Sequence, residues 1–199
     1  EYLSPQFSEI LNFTIDEANK LGMGVDLPPG SGWRCGGPFV PEEKGLWSLK
    51  MQKIEVKMGK TWQKSGDLKN IAAASFVDEK GKTTVLDINE KFKVPANGTV
   101  YLAQRVKNGD KVKRPANGGQ GWAVDTFNEI ITDWYLSEFW KRLGIDEGKI
   151  RCFFHDSFEY TGDFTSDFTQ EFKKRRGYDL SDILFELSGD CPDAEKVAR

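Results

Sequence analysis

Phe7, Ile10, Leu11, Thr14, Ala18 and Leu21 recur at helical spacing near the start of the chain. Ser4-Pro5 ahead of them offers a capping hydroxyl and a proline preset for the first helical position, and Gly22 offers a stop. Residues 23–27 read as a short buried strand. The run Pro28-Pro29-Gly30-Ser31-Gly32-Trp33 that follows can be neither helical nor extended for long. From about 46 to 112 the period changes to two. Strands are predicted over 48–58, 73–78, 83–88 and 99–106, separated by turn sequences such as Asp78-Glu79-Lys80-Gly81-Lys82 and Pro95-Ala96-Asn97-Gly98. Helical spacing then returns in Phe127, Ile130, Ile131, Trp134, Phe139 and Leu143, with Asp125 as the expected cap and Gly144 as the stop. A strand over 150–154, a polar exit from His155 to Glu159 and an acidic, threonine-rich loop come next. A helix is expected from about 166 to Gly177, and another begins near 178–182, capped by Asp179 or Ser181.

With the period-two segment set aside, helix–strand–loop units alternate, which is a parallel α/β pattern. The expected fold class is therefore α/β: part of a (β/α)8 TIM-like barrel with an inserted antiparallel β unit. The expected boundaries are 1–45 for one barrel segment, 46–113 for the insertion and 114–199 for a second barrel segment. Outside residues 44–114 the chain has 128 residues, room for about half a barrel at ~30 residues per βα unit. The amphipathic pattern still runs at Val197-Ala198-Arg199, so a piece of a longer protein is expected.

Charge sharpens this division. Residues 44–114 hold 16 Lys/Arg and 7 Asp/Glu, a net +9, whereas the rest hold 12 and 24, a net −12. In that basic segment lysines alternate with apolar residues, as in Lys53-Ile54-Glu55-Val56-Lys57. The alternation fits the solvent side of antiparallel strands, and no nucleic-acid partner is expected. No run of ~18 apolar residues is present, so no membrane span is expected. The chain opens at Glu1 without a basic leader, which leaves a removed signal open. Cys35, Cys152 and Cys191 are odd in number and far apart, which argues against a disulfide framework and a zinc site. Cys152, inside the apolar strand, is expected in the core.

The densest candidate chemistry is Ile150-Arg151-Cys152-Phe153-Phe154-His155-Asp156-Ser157-Phe158-Glu159. Residues at the exit of a buried parallel strand are where α/β folds place reactive groups. Glu159, flanked by Phe158 and Tyr160, is the candidate general acid, because apolar surroundings can raise a carboxyl into the useful range. Its bland alternative is a loop carboxylate capping the next turn. His155 and Asp156 either bind substrate hydroxyls or orient Glu159; the competing roles are a structural histidine and an aspartate capping the strand exit. Asp26, at the end of the other recognisable strand, either binds substrate oxygens or holds the 28–32 loop. Trp33, among glycines, either stacks on the apolar face of a ligand or packs under its loop. The Lys173–Arg176 run is expected to be a solvated helix face.

Three blocks together resemble glycoside hydrolase family 106, the α-L-rhamnosidase-like enzymes. They are Glu17-Ala18-Asn19-Lys20-Leu21-Gly22-Met23-Gly24-Val25-Asp26 running into Gly30-Ser31-Gly32-Trp33 and Gly36-Gly37-Pro38; Pro115-Ala116-Asn117-Gly118-Gly119-Gln120-Gly121 with Val124-Asp125; and His155-Asp156-Ser157-Phe158-Glu159 with the 168–180 stretch. The resemblance covers both flanks of the chain and little of the β segment. It implies a catalytic barrel within a larger multidomain enzyme, inverting removal of terminal rhamnose from glycans, and Glu159 as the acid. It also implies calcium near the substrate and a secreted or periplasmic location. An inverting pair needs a second carboxylate ~6.5–9.5 Å from the acid. In the family that base comes from a later barrel strand, to which neither Asp26 nor Asp156 has a motif match. Little or no hydrolysis is therefore expected from this chain alone. A carbohydrate-binding barrel without catalysis is the alternative reading.

Overall fold

The computed structural model describes residues 1–66, 68–146, 148–155 and 159–191. In chain order the strands are β1 (Asp26–Leu27), β2 (Gly36–Gly37), β3 (Trp47–Val56), β4 (Thr61–Trp62), β5 (Ile71–Asp78), β6 (Thr83–Val85), β7 (Phe92–Lys93), β8 (Gly98–Lys107), β9 (Trp122–Ala123) and β10 (Cys152–Phe153). The helices are α1 (Pro5–Lys20), α2 (Glu129–Leu143), α3 (Phe168–Arg176) and the single turn α4 (Leu184–Leu187), with 3₁₀ turns at Glu42–Lys44 and Leu180–Ile183. The fold is mixed α/β, and the described residues form several small sheets and no closed barrel. Two compact units emerge: Glu1–Trp47 with Lys107–Thr165, and Ser48–Val106 with Ser166–Arg199.

In the first unit α1 begins where its sequence predicts. The Ser4 hydroxyl accepts from the Phe7 N–H at 3.2 Å, and Gly22 lies in the left-handed region beyond the helix. The helix buries Ile15 and Ala18, whereas Ile10, Phe13 and Leu21 are exposed, so the stripe expected at Ile10 and Leu21 is not the one this unit uses. α2 buries Tyr135, Phe139 and Leu143, one residue per turn along one face. Phe139 and Leu143 join Ile15 and Ile150 in one cluster, while Tyr135 joins Val40 and Val124 in another.

The cap of α2 is Asn128, whose side-chain oxygen accepts from the Ile131 N–H at 3.0 Å. Asp125, the expected cap, sits fully buried before the helix. One carboxylate oxygen accepts from the Phe127 N–H at 3.1 Å and the other from the Thr165 hydroxyl at 2.8 Å.

β1 and β10 pair in parallel, Asp26 opposite Cys152 and Leu27 opposite Phe153. Bonds from the Arg151 N–H to the Val25 carbonyl (2.8 Å) and from the Phe154 N–H to the Leu27 carbonyl (3.0 Å) extend the pairing by a residue each way. The strand expected over 150–154 is thus short. Successive side chains on a strand point to opposite faces: Phe153 meets Phe139 and Trp140, and Cys152 is exposed rather than in the core.

In the second unit β3, β8, β5 and β6 form one sheet in that order, with β5 antiparallel to both neighbours, while β4 and β7 make a separate small pair. These strands match the predicted ones to within a few residues. Trp62, Ala74, Phe76, Val100 and Leu102 form one cluster, and Ala73, Val77, Tyr101 and Ala103 form a second with Leu180, Leu184, Phe168 and Phe172. β5 and β8 carry apolar residues at consecutive positions, so both faces need cover. The chain from Ser166 onward supplies one of those covers. Sequence reasoning grouped that stretch with 114–165 as a barrel segment, whereas here it clusters with Ser48–Val106. Asp179, with Asp182, forms the capping box of the 3₁₀ turn, while the Ser181 hydroxyl accepts from the Ala74 N–H. The Lys173–Arg176 run is exposed, and Lys173, Lys174 and Arg175 make solvent-side ion pairs with Asp179 and Glu171.

Candidate functional site

Because β1 and β10 are parallel, their C-terminal ends open on the same side of the first unit. A cleft of about 320 Å3 lies there, lined by the 28–34 loop, including Trp33 and Arg34, and by Phe154 and His155. Two of the glycine-rich blocks singled out in the sequence meet to build its wall. The Ser31 hydroxyl donates to the Gly119 carbonyl at 2.6 Å, and the Ala116 N–H donates to the Ser31 carbonyl at 2.7 Å. A Cβ on Gly32 would fall on the Lys113 and Arg114 carbonyls, and one on Gly121 would fall on the Gly37 carbonyl. From below, the buried Tyr135 hydroxyl donates to the Pro29 carbonyl at 2.7 Å and accepts from the Gly36 N–H at 3.0 Å. Burial pushes this phenol far above its ordinary range, so it stays a neutral donor.

Trp33 is 45% exposed. Its backbone forms an antiparallel bridge with Lys113, at 3.0 and 3.1 Å, and the Arg114 guanidinium lies 4.8 Å from the indole centre. Lys113 in turn places its ammonium 3.0 Å from a Glu159 carboxylate oxygen. The structure therefore brings Trp33 and His155 into one cleft and links Glu159 to Trp33 through Lys113, although Glu159 does not line the cleft itself.

Asp26 is placed elsewhere. Arg151 donates to both of its carboxylate oxygens, from Nε at 2.8 Å and from a terminal nitrogen, while its own stem lies against Gly24. Hydrogen bonds from Arg151, and then from the Cys152 thiol, hold the Asp26 carboxyl at about 2. Asp156 lies outside the described residues.

Sequence reasoning passed over two residues next to Trp33. Arg34 has a left-handed backbone (φ 68°), is 5% exposed and places a terminal nitrogen 2.6 Å from Asp110. Asp110 also accepts from the Thr161 hydroxyl. Cys35 donates its N–H to the Tyr160 hydroxyl at 2.7 Å and accepts at its carbonyl from the Val124 N–H at 2.9 Å. Its sulfur lies 3.7 Å from His155 Nδ1. Burial raises both the Cys35 thiol and the Tyr160 phenol. Both Arg34 and Cys35 sit between two quoted segments of the first block, but nothing in their spacing announces these partners.

Calcium needs six to eight oxygen ligands. The described residues contain no group of three or more histidine, cysteine or carboxylate side chains arranged to hold a metal, and Asp110 is paired with the cleft residue Arg34.

Set against models of protein families, curated proteins and solved structures, the chain matches none of them.

Proposed function

We propose that this chain is part of a glycoside hydrolase of the α-L-rhamnosidase-like kind, forming a portion of a (β/α)8 barrel that the rest of a larger protein completes. One observation carries the reading. The parallel pair β1/β10 opens onto a cleft in which an exposed indole, Trp33, and the chain's single histidine, His155, lie together. A sugar ring fits such a place by laying its C–H face on the indole and its hydroxyls toward polar groups.

In this reading Glu159 protonates the leaving oxygen once substrate displaces Lys113 from it. A carboxylate from a later barrel strand activates water on the opposite side of the bond, with inversion. Polysaccharide substrates accord with secretion or a periplasmic location.

The test is turnover of a natural rhamnosyl disaccharide and of a nitrophenyl α-L-rhamnoside by the full multidomain protein, with and without Glu159→Gln. We expect a fall of about 10²–10⁴-fold on the disaccharide and a milder one on the aryl substrate, whose leaving group needs less help from an acid. Undiminished turnover of both would remove Glu159 from the role. The Lys113–Glu159 ion pair favours a second reading, a sugar-binding barrel without catalysis. A full-length protein that binds rhamnose and hydrolyses neither substrate would establish it.

A further inference from the structure

We infer that Cys35 is a positioning residue for His155: its thiol donates a hydrogen bond to Nδ1, so that Nε2 carries the imidazole proton and presents it to a hydroxyl of the bound sugar. Sulfur and ring come from positions 120 residues apart, and each is fixed by backbone bonds of its own strand region. The Cys35 N–H is held by Tyr160 and its carbonyl by Val124, between the left-handed Arg34 and the paired Gly36. His155 directly follows Phe154, whose N–H is bonded to the Leu27 carbonyl. The Tyr160 ring lies beside it, its centroid 6.0 Å from that of the imidazole.

The 3.7 Å separation of Sγ and Nδ1 suits a thiol donor. Burial raises the Cys35 thiol, so sulfur keeps its proton at neutral pH and has it to donate. Among the described residues nothing pairs with Nε2, and the ring lines the cleft. A thiol hydrogen bond is weak, but choosing between two tautomers of similar energy takes little. Only the sugar-facing half of this inference rests on the function proposed above.

The histidine is the only one in the chain, so its ring nitrogens can be read without assignment ambiguity in a histidine-labelled sample of this chain. At alkaline pH the wild type should show Nδ1 unprotonated and displaced by an accepted hydrogen bond. Cys35→Val should remove the displacement and Cys35→Ser should retain part of it, with the amide spectrum confirming that each variant is folded. Titration of the full multidomain protein with L-rhamnose should then show affinity about fivefold weaker in Cys35→Val, with partial rescue in Cys35→Ser.

An Nδ1 resonance that is protonated, or identical in wild type and Cys35→Val, would overturn the positioning role whatever the sugar does. The expected nitrogen shifts with no binding of L-rhamnose by the full wild-type protein would uphold the Cys35–His155 bond, overturn the sugar-facing role of Nε2 and count against the function proposed above. If both Cys35 variants fail to fold, ring nitrogens of the wild type alone decide the matter: Nδ1 protonated overturns the inference, and Nδ1 accepting upholds the bond.

Discussion

At Asp26 two guanidinium nitrogens of Arg151 face one carboxylate, and the carboxyl is lowered from 3.8 to about 2. A depressed folded-state value stabilises the fold above the unfolded value and loses that contribution as the pH falls through the folded one. Asp26→Asn is therefore expected to be less stable than wild type at neutral pH, with the gap closing between about pH 3.8 and 2. Urea midpoints taken across that window read it directly, and a gap that stays constant would show that Arg151 does not discriminate the charge state. The effect is small, since the pair is open to solvent. Residue identity alone pointed to a set of carboxylates at two strand ends, and the structure places those strands side by side. It could not say that Asp26 would be claimed by Arg151, or Glu159 by Lys113. Those partners are 125 and 46 residues away, and ion pairing is chosen by which side chains the fold brings within reach.

At the scale of elements, local chemistry set the helix limits well where a stop or cap acts within its own turn. Ser4, Gly22, Gly144 and Gly177 all do what their sequence context predicts. Asp125 and Asn128 show where this ends: both are good caps, and only the backbone direction entering α2 selects the second. The glycine-rich loops behave similarly. Their composition excluded regular structure, yet the reason for several glycines is not turn geometry but the close approach of two backbones. Gly121→Ala should demonstrate this. Its Cβ would overlap the Gly37 carbonyl next to the β2–β9 pair, and a loss of about 3 kcal/mol or more is expected in chemical denaturation. Gly59→Ala, with open space around it and only a positive φ to oppose it, should cost about 1–2 kcal/mol. Equal losses at the two positions would mean that backbone conformation, rather than crowding, set both.

For the whole molecule, the deciding fact is which segments share a core. Leu184 is fully buried against the sheet residues Ala73, Val77, Tyr101 and Ala103. Leu184→Ala is expected to lower the stability of the second unit by about 2–5 kcal/mol, followed by denaturant unfolding monitored on that unit's amide resonances. A loss under about 0.5 kcal/mol would mean that the C-terminal stretch is not a structural cover for the sheet. The sequence by itself determined the alternation of helices and strands and the basic character of the β segment. These follow from periodicity, capping and turn preferences, all of which act over a few residues. Only the tertiary structure decided that the chain from Ser166 covers the β sheet, that Cys152 faces outward, that α1 buries Ile15, and that Cys35 meets His155. Each is a choice among apolar or polar groups with similar local preferences, settled by packing between segments tens of residues apart, which no local pattern encodes.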